Sequence, residues 1–183
     1  PKRYPGLVRS LSYAKHSGAD YSASYDTHLV AVDYEPFAGI EGTICNGVSS
    51  FPPDLNNAGK VVYIANVAYE QGESPGGSAL LAWQDGKNQL LSVGGSTAPG
   101  MDGNWTFVAY GHPVVNHQGT VSFSASVKRE IAPEQFEHRV GVWTISGGNM
   151  KLVAYDGMQV PDAAANVLYS MPNLAVELAM NAK

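Results

Sequence analysis

The sequence predicts an all-β fold: a β-propeller-like array of three four-stranded antiparallel blades of about 60 residues each, filling the 183-residue chain. Three observations predict it. A turn motif recurs at a fixed step. Short runs of period-two alternation follow each copy. The composition is 15% charged and 44% hydrophobic, with 20 Gly and 11 Pro, which suits strands joined by turns.

The turn motif is Phe51–Val67, FPPDLNNAGKVVYIANV, which returns as Gly111–Val127, GHPVVNHQGTVSFSASV. Pro53, Asn56, Gly59 and Tyr63 stand opposite Pro113, Asn116, Gly119 and Phe123, at a step of 60 residues (116 − 56 = 60). Asn56 and Asn116 are expected to fold their side chains onto the backbone in Asx-type turns. Gly59 and Gly119 supply the positive φ that returns the chain. The next run alternates: Val61, Tyr63, Ala65 and Val67 share one face, as do Val121, Phe123, Ala125 and Val127.

The remaining strands follow in order. A polar loop, 68–77 or 128–138, leads to a tryptophan strand, Leu80–Trp83 or Val140–Trp143. A glycine turn, Asp85-Gly86 or Gly147-Gly148, leads to Gln89–Val93 or Lys151–Tyr155. A Gly/Pro loop then precedes the fourth strand, Trp105–Tyr110 or Asn166–Ser170. The first fifty residues read as a worn copy, because Leu29, Leu90 and Leu152 step by 61 and 62 (90 − 29 = 61; 152 − 90 = 62). In that copy Leu7–Tyr13 and Tyr21–Tyr25 are the first two strands, His28–Asp33 the third and Thr43–Ser50 the fourth. The domain is one repeat array, with units of about 1–55, 56–115 and 116–183. The stretch LAVELAM, 174–180, has good helix formers and is expected to form one helical turn or two.

The core is expected to hold the strand aromatics Tyr63, Trp83, Phe123 and Trp143. The pairs Val61/Tyr63, Val121/Phe123, Leu81/Trp83 and Val142/Trp143 would pack between blades.

The pattern P-x-[LV]-N-x-x-G-x-V-x-[FY], followed by a tryptophan strand, a [LV]-[AS] strand and a GxxxAPG-like loop, resembles the NxxGxxAF tandem-repeat proteins. The resemblance covers roughly Leu29 to Asn181 and is most specific at Asn56–Tyr63, Asn116–Phe123 and Val93–Gly100. It departs in the first unit and at Leu174–Met180. The motif is also similar to the strand–turn–strand of TolB-type propellers, which carry SPDG where this chain has NNAG. The resemblance implies a bacterial, secreted or surface-located protein of propeller-like build. It implies no activity, and it carries no catalytic residue onto this chain.

Residue chemistry gives little support to catalysis, and no catalytic residue, metal ligand or cofactor is assigned. Cys45 is the only cysteine, sits in a strand and has no local histidine base, so it reads as a small buried residue. His16, His28, His112, His117 and His138 include no pair at i, i+2 or i, i+4. His112 and His117 flank one turn, where turn or surface roles are expected. Asp102-Gly103-Asn104 reads as a turn, because it lacks the alternating oxygens of a calcium loop. Asp33, Glu35 and Glu41 on one loop, and Glu70 and Glu73 on another, read as solvated acids; facing carboxylates would be needed for a glycoside-active enzyme. No Gly-x-Ser-x-Gly elbow is present. The net charge of −5 argues against nucleic acid, and no run is long enough for a membrane-spanning helix.

Two functional classes remain, with the enzyme third. One is an extracellular structural or assembly protein, a subunit of a filament or matrix. The other is a glycan-binding, lectin-like module, in which Trp83, Trp105 or Trp143 would offer a stacking face. The loops AYEQGESPGG and KREIAPEQFEH share almost nothing, which weakens a repeated sugar site. Three blades do not close a ring. The partner expected is therefore the chain itself. The strand carrying Leu7 and Val8 in one copy would complete the last sheet of another, near Asn181, where a third turn motif breaks off before its glycine. A processed end or a piece of a longer polypeptide is the alternative.

Overall fold

The computed structural model describes residues 10–17, 24–69, 77–164, 166–174 and 178–180; for 10–17 and 24–28 it gives the backbone alone. The strands are β1 (Ser10–Ser17), β2 (Ser24–Val32), β3 (Thr43–Val48), β4 (Asp54–Leu55), β5 (Val61–Tyr69), β6 (Gly77–Gln84), β7 (Lys87–Val93), β8 (Thr106–Val115), β9 (Val121–Ala132), β10 (Gln135–Ser146) and β11 (Asn149–Tyr155). The fold is all-β and every strand pairing is antiparallel, with no helix among the described residues.

The strands make two large sheets rather than three blades. One is the four-stranded meander β8-β9-β10-β11. The other has five strands, in the order β3-β5-β6-β7, with β4 paired to β5 beside β3. A separate ribbon joins β1 to β2. Among the described residues no closed barrel or ring of sheets forms. The physical reason lies in how the strands are shared. Each sheet takes the last strand of one copy and the first three of the next, so three copies complete only two sheets. The ribbon also merges elements: Tyr25 and Leu29 lie on the single strand β2, and β1 runs on to Ser17.

The threefold repeat survives as a corner. After β2, Tyr34 N–H donates to Cys45 O at 2.7 Å, Cys45 N–H to Glu35 O at 3.0 Å and Phe37 N–H to Thr43 O at 3.2 Å. After β7 the same three bonds are Gly95 to Phe107, Phe107 to Ser96 and Ala98 to Trp105, at 2.7, 2.9 and 2.9 Å. After β11 they are Gly157 to Tyr169, Tyr169 to Met158 and Val160 to Val167, at 2.9, 2.9 and 3.0 Å. The first position of each corner has positive φ, at Tyr34 (66°), Gly95 (87°) and Gly157 (83°).

Burial explains the strand compositions. β5 reads as a near-continuous apolar run because both of its faces are covered. Val61, Tyr63, Ala65 and Val67 face a core shared with Val30, Phe37 and Cys45. Val62 and Ile64 face a second core, shared with Phe107, Phe123, Val127 and Trp143 of the four-stranded sheet. In β9 the alternation is strict. Val121, Phe123, Ala125 and Val127 enter that second core, while Ser122 and Ser124 lie on the opposite face.

Two local expectations are corrected. Residues 128–138 are not a loop: β9 and β10 continue to a tight turn at Pro133-Glu134, where Glu134 has φ 62°. Trp83 and Trp143 are not counterparts either. Trp83 pairs with Val61, whereas Trp143 pairs with Phe123, and Ile145 takes the place of Trp83 opposite Val121. The connection from Val127 to its partner Arg139 is two residues longer than that from Val67 to Gly77, which slides the register (12 against 10). Val142, next to Trp143 in sequence, accordingly lies on the other face of β10 and outside the shared core. No helical turn is seen at 173–174 or 178–180; residues 175–177 lie outside the described ones.

Candidate functional site

The two turn motifs meet. In the first, Asn56 Oδ1 accepts the N–H groups of Ala58 (3.0 Å) and Lys60 (2.9 Å), and Gly59 N–H donates to Asn56 O (3.0 Å). In the second, Asn116 Oδ1 accepts Thr120 N–H (2.9 Å), and Gly119 N–H donates to Asn116 O (3.0 Å). Gly59 and Gly119 have φ of 80° and 84°. Three side chains of the first motif then grip the backbone of the second. Asn56 Nδ2 donates to Asn116 O at 2.9 Å, Lys60 Nζ donates to Gly119 O at 3.0 Å, and Asp54 Oδ2 accepts Val115 N–H at 2.7 Å. Burial pushes the Lys60 ammonium below its ordinary pKa. The joint is heterologous: one sheet supplies side chains, the other main chain. Sixty residues on, Asp54 and Lys60 are replaced by Val114 and Thr120, so only Asn116 keeps its type.

The core aromatics are placed on both sides of this joint. Tyr63 is buried in the first core, where its hydroxyl donates to Asn88 Oδ1 at 2.6 Å and burial raises its pKa. Phe123 and Trp143 are buried in the second, their ring centres 6.2 Å apart, with Phe107 edge-on to Trp143 at 5.0 Å. Trp143 Nε1 donates to Pro99 O at 3.0 Å. Trp83, Trp105 and Trp143 are all buried, so none presents a ring face for a sugar to stack on.

A polar cluster lies at the far end of the four-stranded sheet. Glu137 Oε2 accepts Arg129 Nε at 2.7 Å, and Glu137 Oε1 accepts Arg139 Nε and Nη2 at 3.0 and 2.9 Å. Hydrogen bonds from Arg139 and then Arg129 hold the Glu137 carboxyl below its usual pKa. Both guanidiniums lie over the Trp105 ring, at 4.9 and 5.6 Å from its centre. Arg129, Arg139 and Trp105, with Met101, Asp102 and Tyr155, line a cleft of about 180 Å³. Beside it, a groove of about 550 Å³ runs under the protruding β9–β10 arm, where Ile131 and Phe136 are exposed. Sequence reasoning missed this cluster. Its signal is Glu137-x-Arg139 on one strand face, with Arg129 directly across the ladder from Glu137. That signal reads only once the hairpin turn at Pro133-Glu134 is placed.

The other candidates stay apart. Cys45 is buried and its Sγ lies 3.8 Å from Asp33 Oδ1; burial first, with the nearby Asp33 carboxylate adding to it, pushes its thiol pKa up to about 11. At neutral pH it is a thiol, not a nucleophilic thiolate. Asp33 also accepts Val48 N–H at 3.2 Å. His112 Nδ1 is buried with no hydrogen-bond partner, while His117 is exposed. Asp102 O accepts Trp105 Nε1 at 3.0 Å, so the 102–104 loop supports the cleft. Among the described residues no group of three or more His, Cys, Asp or Glu is placed to hold a metal ion, and no helix is long and apolar enough to cross a membrane. Leu7, Val8, Glu70, Glu73 and Asn181 lie outside the described residues.

These features define an all-β repeat protein of antiparallel sheets locked together through their turns. The chain belongs to DUF7453, a family of unknown function, whose model matches residues 14–183. No curated protein and no solved structure matches it.

Proposed function

We propose that this chain is a non-catalytic structural protein, an extracellular subunit of a bacterial surface filament or matrix built from stacked repeat sheets. The observation that carries the reading is the joint between the turn motifs, in which Asn56, Lys60 and Asp54 hold the main chain of a related motif 60 residues on. A heterologous contact between like units propagates, and it ends in a ring or a filament according to its rotation. The propeller-like character belongs to this reading: further sheets added in the same sense would close a ring, and failure to close would give a fibre. The surface location rests on the resemblance to the NxxGxxAF proteins. Electron microscopy of native material tests the proposal. Rings or fibres support it, and dispersed single particles of 19.4 kDa contradict it.

A second reading is a glycan-binding module. It is favoured by the cleft beside Arg129 and Arg139, whose two guanidiniums share one carboxylate and leave local positive charge for an acidic saccharide. A glycan array would support it if binding is lost in Arg139→Ala.

A further inference from the structure

The turn that supports the Trp105 cleft opens a second pattern. Of all the asparagines in the chain, only Asn104 is followed two residues later by serine or threonine, in Asn104-Trp105-Thr106. With a residue other than proline between them, that spacing is the acceptor pattern for an asparagine-linked glycan, and it belongs on a surface loop of a secreted protein. The transferring enzyme reads the hydroxyl two residues on. Asp102 stands two residues ahead of Asn104, which completes the longer, acid-first pattern that bacterial transferases accept.

The fold presents this asparagine outward. Gly103 turns the chain at φ 100°, Trp105 N–H donates to Gly103 O at 3.1 Å, and Trp105 Nε1 donates to Asp102 O at 3.0 Å. These bonds hold Trp105 in the core and leave Asn104 exposed beside it. Among the described residues the Asn104 amide has no hydrogen-bond partner. Asn166 holds the same place in the third corner, because the bonds Ala98 to Trp105 and Val160 to Val167 match. Leu168 follows it two residues on, so that corner has the exposed amide without the hydroxyl.

A seat for the first sugars lies next to it. Asn104 and Thr106 line the groove of about 550 Å³ under the β9–β10 arm, together with Lys128, Glu130, Ile131 and Phe136. Lys128 Nζ lies over the Phe136 ring at 4.7 Å, yet Phe136 is still 45% exposed, and Ile131 is 60% exposed. Exposed apolar groups gathered in a groove mark a contact site. A sugar ring has an apolar C–H face and a polar rim, which suits an aromatic ring with charged neighbours.

We infer that Asn104 is an asparagine-linked glycosylation site whose first sugars lie in the groove against Phe136 and Ile131. This rests on the extracellular part of the proposed function and not on assembly. The co-reactant is an oligosaccharide carried on a lipid diphosphate. Asn104 Nδ2 attacks the anomeric carbon, the N–C bond forms, and the bond from that carbon to the diphosphate oxygen breaks. The lipid diphosphate leaves with the electron pair, and one amide proton passes to a base of the transferase. Transfer precedes folding, because the folded corner buries Trp105, holds its carbonyl on Ala98 N–H and sets Thr106 Oγ1 3.4 Å from Lys128 O.

The test is peptide mass spectrometry of the full-length native chain after cell fractionation, with variants expressed in the same cell. The peptide holding Asn104 should carry a sugar mass, and the peptide holding Asn166 should not. Thr106→Ser should keep the sugar; Thr106→Ala and Asn104→Gln should lose it with unchanged circular dichroism. The glycosylated chain should melt above Asn104→Gln, and Phe136→Ala should close that gap. An exported chain with Asn104 bare overturns the inference and leaves the surface reading standing. A chain confined to the cytoplasm with Asn104 bare overturns both. Sugar retained in Thr106→Ala overturns the asparagine-linked route, and a melting gap that survives Phe136→Ala overturns the groove as the seat.

Discussion

The side-chain amide of Asn56 donates to the carbonyl of Asn116 at 2.9 Å, across 60 residues of sequence. The two residues hold the same place in their own turns. Only one of them also reaches the other, so the repeat is symmetric in turn chemistry and asymmetric at the joint. Asn56→Asp keeps the acceptor that serves Ala58 and Lys60 and loses the bond to Asn116. Asn116→Asp keeps its acceptor for Thr120 and breaks no bond between sheets. Asn56→Asp should cost about 1–2 kcal/mol more than Asn116→Asp in urea unfolding, since a half-buried carbonyl loses its donor. Equal costs would mean that the Asn56 bond across the joint contributes nothing.

Gly59 and Gly119 both return the chain at positive φ, 80° and 84°. Valine at either should cost about 1–3 kcal/mol, because a β-branched side chain is strained there. Thermal melts of the two variants check this, and an unchanged midpoint in both would contradict it.

Trp143 sits over Gly141, two residues away on the same strand face; a Cβ at Gly141 would meet the indole at 2.7 Å. Trp143→Ala should cost about 3–5 kcal/mol as a core truncation. Gly141→Ala should cost about 1–3 kcal/mol as overpacking. In the double variant the two costs should fall short of their sum, since the indole that the new methyl strikes is gone. Additive costs in a double-mutant cycle would show that the two do not touch.

The Cys45 thiol gives a pH signature. Its ordinary value is 9.0 and burial lifts it to about 11 in the folded chain. Between those values the folded chain keeps a proton that the unfolded chain releases. The contribution is full below pH 9 and falls as pH rises through about 11. Cys45→Ala should flatten the slope of stability against pH in that window. Thiol labelling of the native chain at pH 8 should be slow, and fast labelling would place Cys45 at the surface.

What the sequence disclosed followed the range of the interactions. Period-two alternation is local, so the all-β antiparallel character was legible from Val61–Val67 and Val121–Val127. Sheet membership depends on which strand lies beside which. β8 belongs with β9 across the Asn116 turn, while the corner at Gly95 separates it from β7; nothing in Trp105–Tyr110 taken alone tells these apart. The mismatch of Trp83 and Trp143 has the same origin, because two extra residues in a hairpin arm shift the register without changing the motif. The Arg129–Glu137–Arg139 clip was hidden because its members lie on opposite strands of an arm that reads as a polar loop. The grip of Asn56, Lys60 and Asp54 on the second turn was hidden too, since it joins side chains to main chain and leaves no matching residue type behind.

The mass of the native protein in solution tests the central claim most directly. Multi-angle light scattering over a range of concentrations should give integral multiples of 19.4 kDa that grow or persist as concentration rises. A stable species at 19.4 kDa throughout that range would contradict the assembly account.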